Sequence, residues 1–206
     1  VSLLATGNIT QGSGANTIGD LSTAGSGTLE VKSGGAILMW AGNETVAVNG
    51  NVRYEAGTSI TLTKISTGGS VALIAGTSVI DHANDTVVDV VAAGLLIVAG
   101  GDIGSGSNAL ETTVTTLSTS SGGTGGTYIT ETNALVIDTL TVAVNRVLDA
   151  GTLSGTQTSS TQADLIATNG GSVVVVTGGD LTVNVGDADD EGVKVGGSGH
   201  LRLDVT

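Results

Sequence analysis

The 206-residue chain has no Pro, no Cys and no Phe, and carries only one Trp and two Tyr. Proline removes a donor from a β-ladder, so its absence suits long unbroken ladders. Without cysteine there is no disulfide framework, which by itself leaves the compartment open, since secreted proteins can lack disulfides. Aromatic rings supply much of an ordinary core. At 1% aromatic content this core is built from small and medium aliphatics, in many thin layers. Basic residues are also scarce: 6 Lys and Arg stand against 19 Asp and Glu, a net charge of −13. That balance excludes a nucleic-acid-binding face, which needs clustered positive charge. It also argues against an anionic membrane surface. The longest apolar run, Val87 to Ala99, is broken by Asp89 and is too short to span a bilayer, so no membrane insertion is expected. No signal peptide is recognisable. The chain opens on Val1-Ser-Leu-Leu, which already reads as a strand. The expectation is therefore a single segment, residues 1–206, of a larger exported protein.

What is abundant is Gly (34 residues), Thr (31) and Val (26). Thr and Val are β-branched and favour strands. Gly supplies corners that other residues resist. One pattern recurs: a Gly step, about five alternating residues, another Gly. It appears as Gly27-Thr-Leu-Glu-Val-Lys-Ser-Gly-Gly35, Gly69-Ser-Val-Ala-Leu-Ile-Ala-Gly76, Gly94-Leu-Leu-Ile-Val-Ala-Gly-Gly101 and Gly171-Ser-Val-Val-Val-Val-Thr-Gly-Gly179. Self-similar short strands with glycine corners are the mark of a solenoid. Alternation places Ile60, Leu62, Leu181, Val183, Val185, Leu201, Leu203 and Val205 inward. The fold expected is all-β: a right-handed parallel β-helix forming an elongated rod. With roughly 20 residues per rung it would have about ten rungs and a length on the order of 50 Å. Ala83 to Ala99 reads as two strands meeting near Ala92 to Gly94, in preference to a helix capped by Asp85. Asp149 to Thr168 is rich in Ser, Thr and Gln and weakly periodic. It reads as a loop excursion with a strand near Asp164 to Thr168.

The runs Gly69 to Ile80, Ala93 to Gly104, Asn108 to Leu117 and Tyr128 to Ile137 resemble the shafts of filamentous-haemagglutinin-like exoproteins and of large repetitive bacterial adhesins. The likeness is one of repeat style, not of catalytic residues. It implies a secreted or cell-surface rod serving adhesion, biofilm cohesion or competition between cells. The amino-terminal secretion domain of that family carries Asn-Pro motifs, which this Pro-free chain lacks, so the resemblance is to shaft material. It implies partners of two kinds: self-association or neighbouring segments of the same chain, and a host or cell-surface receptor.

Candidate chemistry is sparse. The basic residues Lys32, Arg53, Lys64, Arg146, Lys194 and Arg202 are scattered singly. That is a poor basis for a polysaccharide-active β-helix enzyme, which is one of two alternative readings, the other being a calcium-stabilised surface binding module. His82 and His200 are far apart, and zinc wants three or four such ligands. No cofactor is required by anything in the sequence. The one metal candidate is the run Asp187-Ala-Asp189-Asp190-Glu191 between Gly186 and Gly192, four carboxylates that suit calcium. Trp40, Tyr54 and Tyr128 are the only rings available to stack on a sugar.

Overall fold

The computed structural model describes residues 1–12, 19–83, 86–188 and 190–206, with nothing said of the side chain of Ser154. The described residues form strands and turns, with no helix. Asp85, the candidate helix cap, lies outside them.

The strands stack as parallel ladders. The first ladder runs through β1 (Ser2–Ala5), β4 (Leu29–Ser33), β7 (Val52–Ala56), β10 (Ser70–Ala75), the second half of β12 (Val90–Ala99) and the second half of β13 (Leu110–Ser121). There the ladder divides. Thr116 and Leu117 pair with β15 (Leu135–Ile137), while Thr119 to Ser121 pair with β18 (Leu165–Ala167). One turn later β20 (Leu181–Val183) stacks on β15, and β21 (Val193–Val195) stacks on β18. The second ladder runs through β2 (Ile9–Gln11), β5 (Ile37–Met39), β8 (Ile60–Leu62) and β11 (Val79–Asp81). It continues through Ile103 to Thr127 in β14 (Gly126–Glu131), then β19 (Ser172–Thr177) and β22 (Leu201–Val205). The third joins β3 (Leu21–Thr23), β6 (Thr45–Ala47), β9 (Ile65–Thr67) and the first halves of β12 and β13. This is an all-β parallel solenoid, as the sequence pattern requires. β12 spans two ladders: Val90 pairs with Ile65 and Gly94 with Ser70, so the corner falls at Ala92 to Ala93, where two strands were expected to meet.

Turns vary in length. Paired residues on the first ladder lie 28, 23, 19, 24 and 22 apart (Ser2, Glu30, Arg53, Ala72, Leu96, Ser118). The next turn takes 46 (Thr119 to Leu165) and the last 28 (Leu165 to Val193). These seven steps stack eight rungs, each taken as one turn, and not ten. At about 4.8 Å per turn the rod is on the order of 40 Å long.

Inward side chains form one continuous core. Leu29, Ile37, Ile60, Leu62, Leu73, Leu95 and Ile97 are fully buried within it. Each such side chain contributes about 1.5–3 kcal/mol by leaving water. Tyr54 is also fully buried, and its hydroxyl meets Thr45 Oγ1 at 2.6 Å and Gln11 Oε1 at 3.1 Å. It is a core residue and offers no platform to a sugar.

Gly34, Gly57, Gly76, Gly100 and Gly122 form a column at one corner. A Cβ on Gly57 would lie 2.1 Å from the Gly34 carbonyl oxygen, and one on Gly76 at 2.1 Å from that of Gly57. Close backbone approach, not positive φ, demands glycine here.

The 46-residue turn carries an antiparallel hairpin, β16 (Ala143–Val147) and β17 (Leu153–Thr158). Within residues 149–168 the hairpin strand β17 stands where loop was expected, and the ladder strand β18 lies where a strand near Asp164 to Thr168 was expected. The hairpin lies against the first ladder. Leu140 and Val142 cover Ala72, Leu96 and Val98, the outward residues of two strands that are apolar on both faces. Asn51 Nδ2 donates to the Ala143 carbonyl, Asn145 N to Thr28 Oγ1, and Val147 N to Ser2 Oγ. Arg146 grips the fully buried Glu30 from two sides, Nε to Oε2 at 2.8 Å and Nη2 to Oε1 at 2.5 Å. Arg53 approaches the same Oε1 at 3.3 Å.

Candidate functional site

Solenoid stacking turns residues distant in sequence into columns. Extending the register of the third ladder by one residue aligns Asp20, Glu44, Lys64, Asp89 and Glu111 along one corner. All but Glu111 line a cleft of about 350 Å³, together with Asn43, Thr63, Asp81, His82 and Val87. The same backbone device appears twice in this column. Asp20 Oδ1 accepts from Glu44 N at 2.9 Å, and Asp89 Oδ2 accepts from Glu111 N at 3.0 Å. A carboxylate at each site holds the N–H of the next turn. Lys64 pairs with Glu44 at 3.0 Å.

At the head of the cleft three carboxylates converge. Asp81, Asp89 and Glu111 each place an oxygen within 4.8 Å of the others. Strand parity explains Asp81. It pairs with Leu62 on the second ladder, so it takes the position that Leu62, and Met39 beyond it, fill with apolar side chains. Asp81 is 5% exposed and Asp89 is 1% exposed. Asp81 Oδ1 accepts from Ala83 N at 3.1 Å, whereas its Oδ2 is sealed from solvent without a hydrogen-bond donor. Burial pushes the Asp89 carboxyl up to about 9, and the charge of Asp81 adds to the effect. Asn108 Nδ2 donates to the Asp81 carbonyl at 3.2 Å, and Asn108 Oδ1 is buried without a donor. Next to Asp81, His82 stands 5.7 Å from the Trp40 ring. Oxygen donors at such spacing suit a proton shared between carboxyls or a hard cation. Carboxyls this deeply buried offer little surface for a polymeric substrate to touch.

The run chosen from sequence sits elsewhere. It fills the gap between β20 and β21, one turn above the place where the hairpin leaves the rod. Asp187, Asp190 and Glu191 are exposed, and Glu191 pairs with Lys194 at 2.6 Å. Asp189 lies outside the described residues. Among the described residues, the group of three or more acids or histidines with ligand atoms this close is Asp81, Asp89 and Glu111. The scattered basic residues are largely taken up in ion pairs: Lys32 with Glu55, Arg53 with Glu30 and Glu55, Arg146 with Glu30, and Arg202 with Asp204.

No protein-family model, no curated protein and no solved structure matches the chain.

Proposed function

We propose that this chain is a structural and adhesive rod of the cell exterior, a shaft that continues axially by stacking turn on turn. One observation carries the reading. In β19, Val173 and Val175 are fully buried. Their partners one turn on, Leu201 and Leu203, point the same way, yet Leu201 is 50% exposed. At the opposite end Leu3 stacks over the buried Val31 and is 38% exposed. Both end turns thus present apolar core positions together with free strand edges, and such edges are templates for further pairing. The occupant that fits is another turn of the same construction, from an adjoining segment or a second copy. The glycine-cornered repeats and their resemblance to exoprotein shafts support an extracellular setting.

The test is axial growth. Purified chain at rising concentration is expected to form rods whose length increases in steps of roughly 40 Å, seen by electron microscopy and sedimentation. Leu3→Asp and Leu203→Asp should stop growth at opposite ends. A wild-type chain that stays monomeric at every concentration overturns the end-stacking reading. New unsaturated ends on an acidic polysaccharide incubated with the chain would replace it with an enzymatic one.

A further inference from the structure

Asp81, Asp89 and Glu111 belong to turns four and five, at the centre of the rod and away from both end turns. Three carboxylates within 4.8 Å of one another repel strongly unless a positive charge joins them. Lys64, the cation lining the cleft, is engaged by Glu44. The second observation is Asp81 itself: it is 95% buried by its 5% exposure, and its Oδ2 is a sealed oxygen without a donor. A buried acceptor left without a partner is costly, and a charged one more so. The spacing is informative. Calcium binds oxygens at about 2.3–2.6 Å, so two oxygens on opposite sides of one ion lie about 4.6–5.2 Å apart. Three ligand atoms all within 4.8 Å of one another are close enough to share one such ion.

We propose that Asp81, Asp89 and Glu111 bind one divalent cation of the calcium class, which clamps two successive turns of the solenoid. Ligand chemistry selects the ion. The donors are carboxylates with no thiolate, which favours hard cations over zinc or copper. Asn108, whose Nδ2 donates to the Asp81 carbonyl, has its own Oδ1 buried without a donor. Calcium takes six to eight ligands, and the adjoining cleft admits water to complete them.

The rival occupant is a proton shared between two of the carboxyls. Calorimetric titration of chelator-stripped full chain with CaCl2 separates the two. The expected result is saturable binding of one ion per chain. Calcium at about 100 times its Kd should raise Tm by roughly 5–10 °C. Terbium is expected to luminesce when excited through Trp40, the only Trp in the chain, which stands beside His82. Asp81→Asn and Glu111→Gln should abolish the heat and the Tm shift, and circular dichroism checks that each still folds. Asp187→Asn, in the exposed acidic run, should leave both in place. Absence of binding at millimolar calcium in the wild-type chain overturns the proposal in favour of the shared proton. Binding that survives both cluster variants, or an equal response to magnesium, overturns it as well.

Discussion

Asp89 combines near-complete burial with two acidic neighbours, and that combination fixes how stability should respond to pH. Its carboxyl is raised to about 9 by burial first and by Asp81 second. In the unfolded chain the group titrates near 4. A carboxyl whose pKa is higher folded than unfolded supports the fold fully below the unfolded value. That support is lost as pH rises through the folded value. In divalent-free buffer Tm is therefore expected to fall as pH rises from about 4 to about 9. The groups facing Asp89 are Asp81 on β11, Glu111 on β13, and Lys64, Glu44 and His82 around the cleft. Glu131, also raised by burial, adds a background of the same sign. The diagnostic quantity is thus the difference from Asp89→Asn, which keeps an oxygen acceptor for Glu111 N and removes the titration. The wild-type curve should drop below the variant's as pH rises, by a margin on the order of a few kcal/mol. Parallel curves would sink the assignment. Part of this site was legible in sequence. Parity in Val79-Ile80-Asp81 already turns Asp81 inward, an oddity worth pursuing. Its partners were not legible, since Asp89 and Glu111 reach it only through a register whose period varies from 19 to 28 residues over the neighbouring turns. In the contiguous acidic run Asp187 to Glu191, the residues Asp187, Asp190 and Glu191 are exposed, and Asp189 lies outside the described residues.

The hairpin β16–β17 acts as a strap, and its anchor is the Glu30 carboxylate. Glu30 is fully buried, and Arg146 meets it with two parallel N–H donors. That fork geometry is specific to arginine. Glu30 in turn holds the Arg146 guanidinium above its ordinary pKa. Removing one partner of a buried ion pair leaves the other charge without compensation. Arg53 remains near Glu30 and softens the loss. Arg146→Ala is therefore expected to destabilise the chain by about 2 kcal/mol in urea melts. Arg146→Lys should recover only part of this, because an ammonium cannot make the bidentate contact. Full recovery by Lys would mean that charge alone, not the fork, holds the strap. The sequence concealed this element for a physical reason. A hairpin packed on an outer surface needs few apolar residues, and here Leu140 and Val142 do the covering from just before β16. The Ser-, Thr- and Gln-rich remainder looks like loop. The better clue was on the other side of the contact. Ser70 to Ala75 and Val90 to Ala99 are apolar on both faces, which calls for a cover. Ser172 to Thr177 has the same composition, but its outward Val174 and Val176 are only half-buried, between the outward residues of β14 and β22.

Across the whole rod each turn touches mainly its neighbours, so stability is close to a sum of local terms and the ends open first. The strap breaks this symmetry. Its bonds reach Ser2, Thr28, Glu30 and Asn51, and its apolar cover reaches Ala72 and Leu96, so it ties the first five turns together. The final turn, built from β20, β21 and β22, has its inward Val183 and Leu201 largely uncovered. Hydrogen exchange should therefore be graded and lopsided. Amides paired around Leu73, Leu95 and Leu117 exchange last. Amides of β20 to β22 exchange first, and those of β1 and β4 fall between, although β1 is also an end strand. Arg146→Ala should shift β1 and β4 toward the rate of β22 and leave β19 to β22 unchanged. Uniform protection along the rod, or equal fraying of both ends in the wild type, would mean that the hairpin rides on the surface without coupling the turns beneath it. Calcium, bound at turns four and five, should slow exchange on both sides of Asp89 while leaving this end-to-end asymmetry in place.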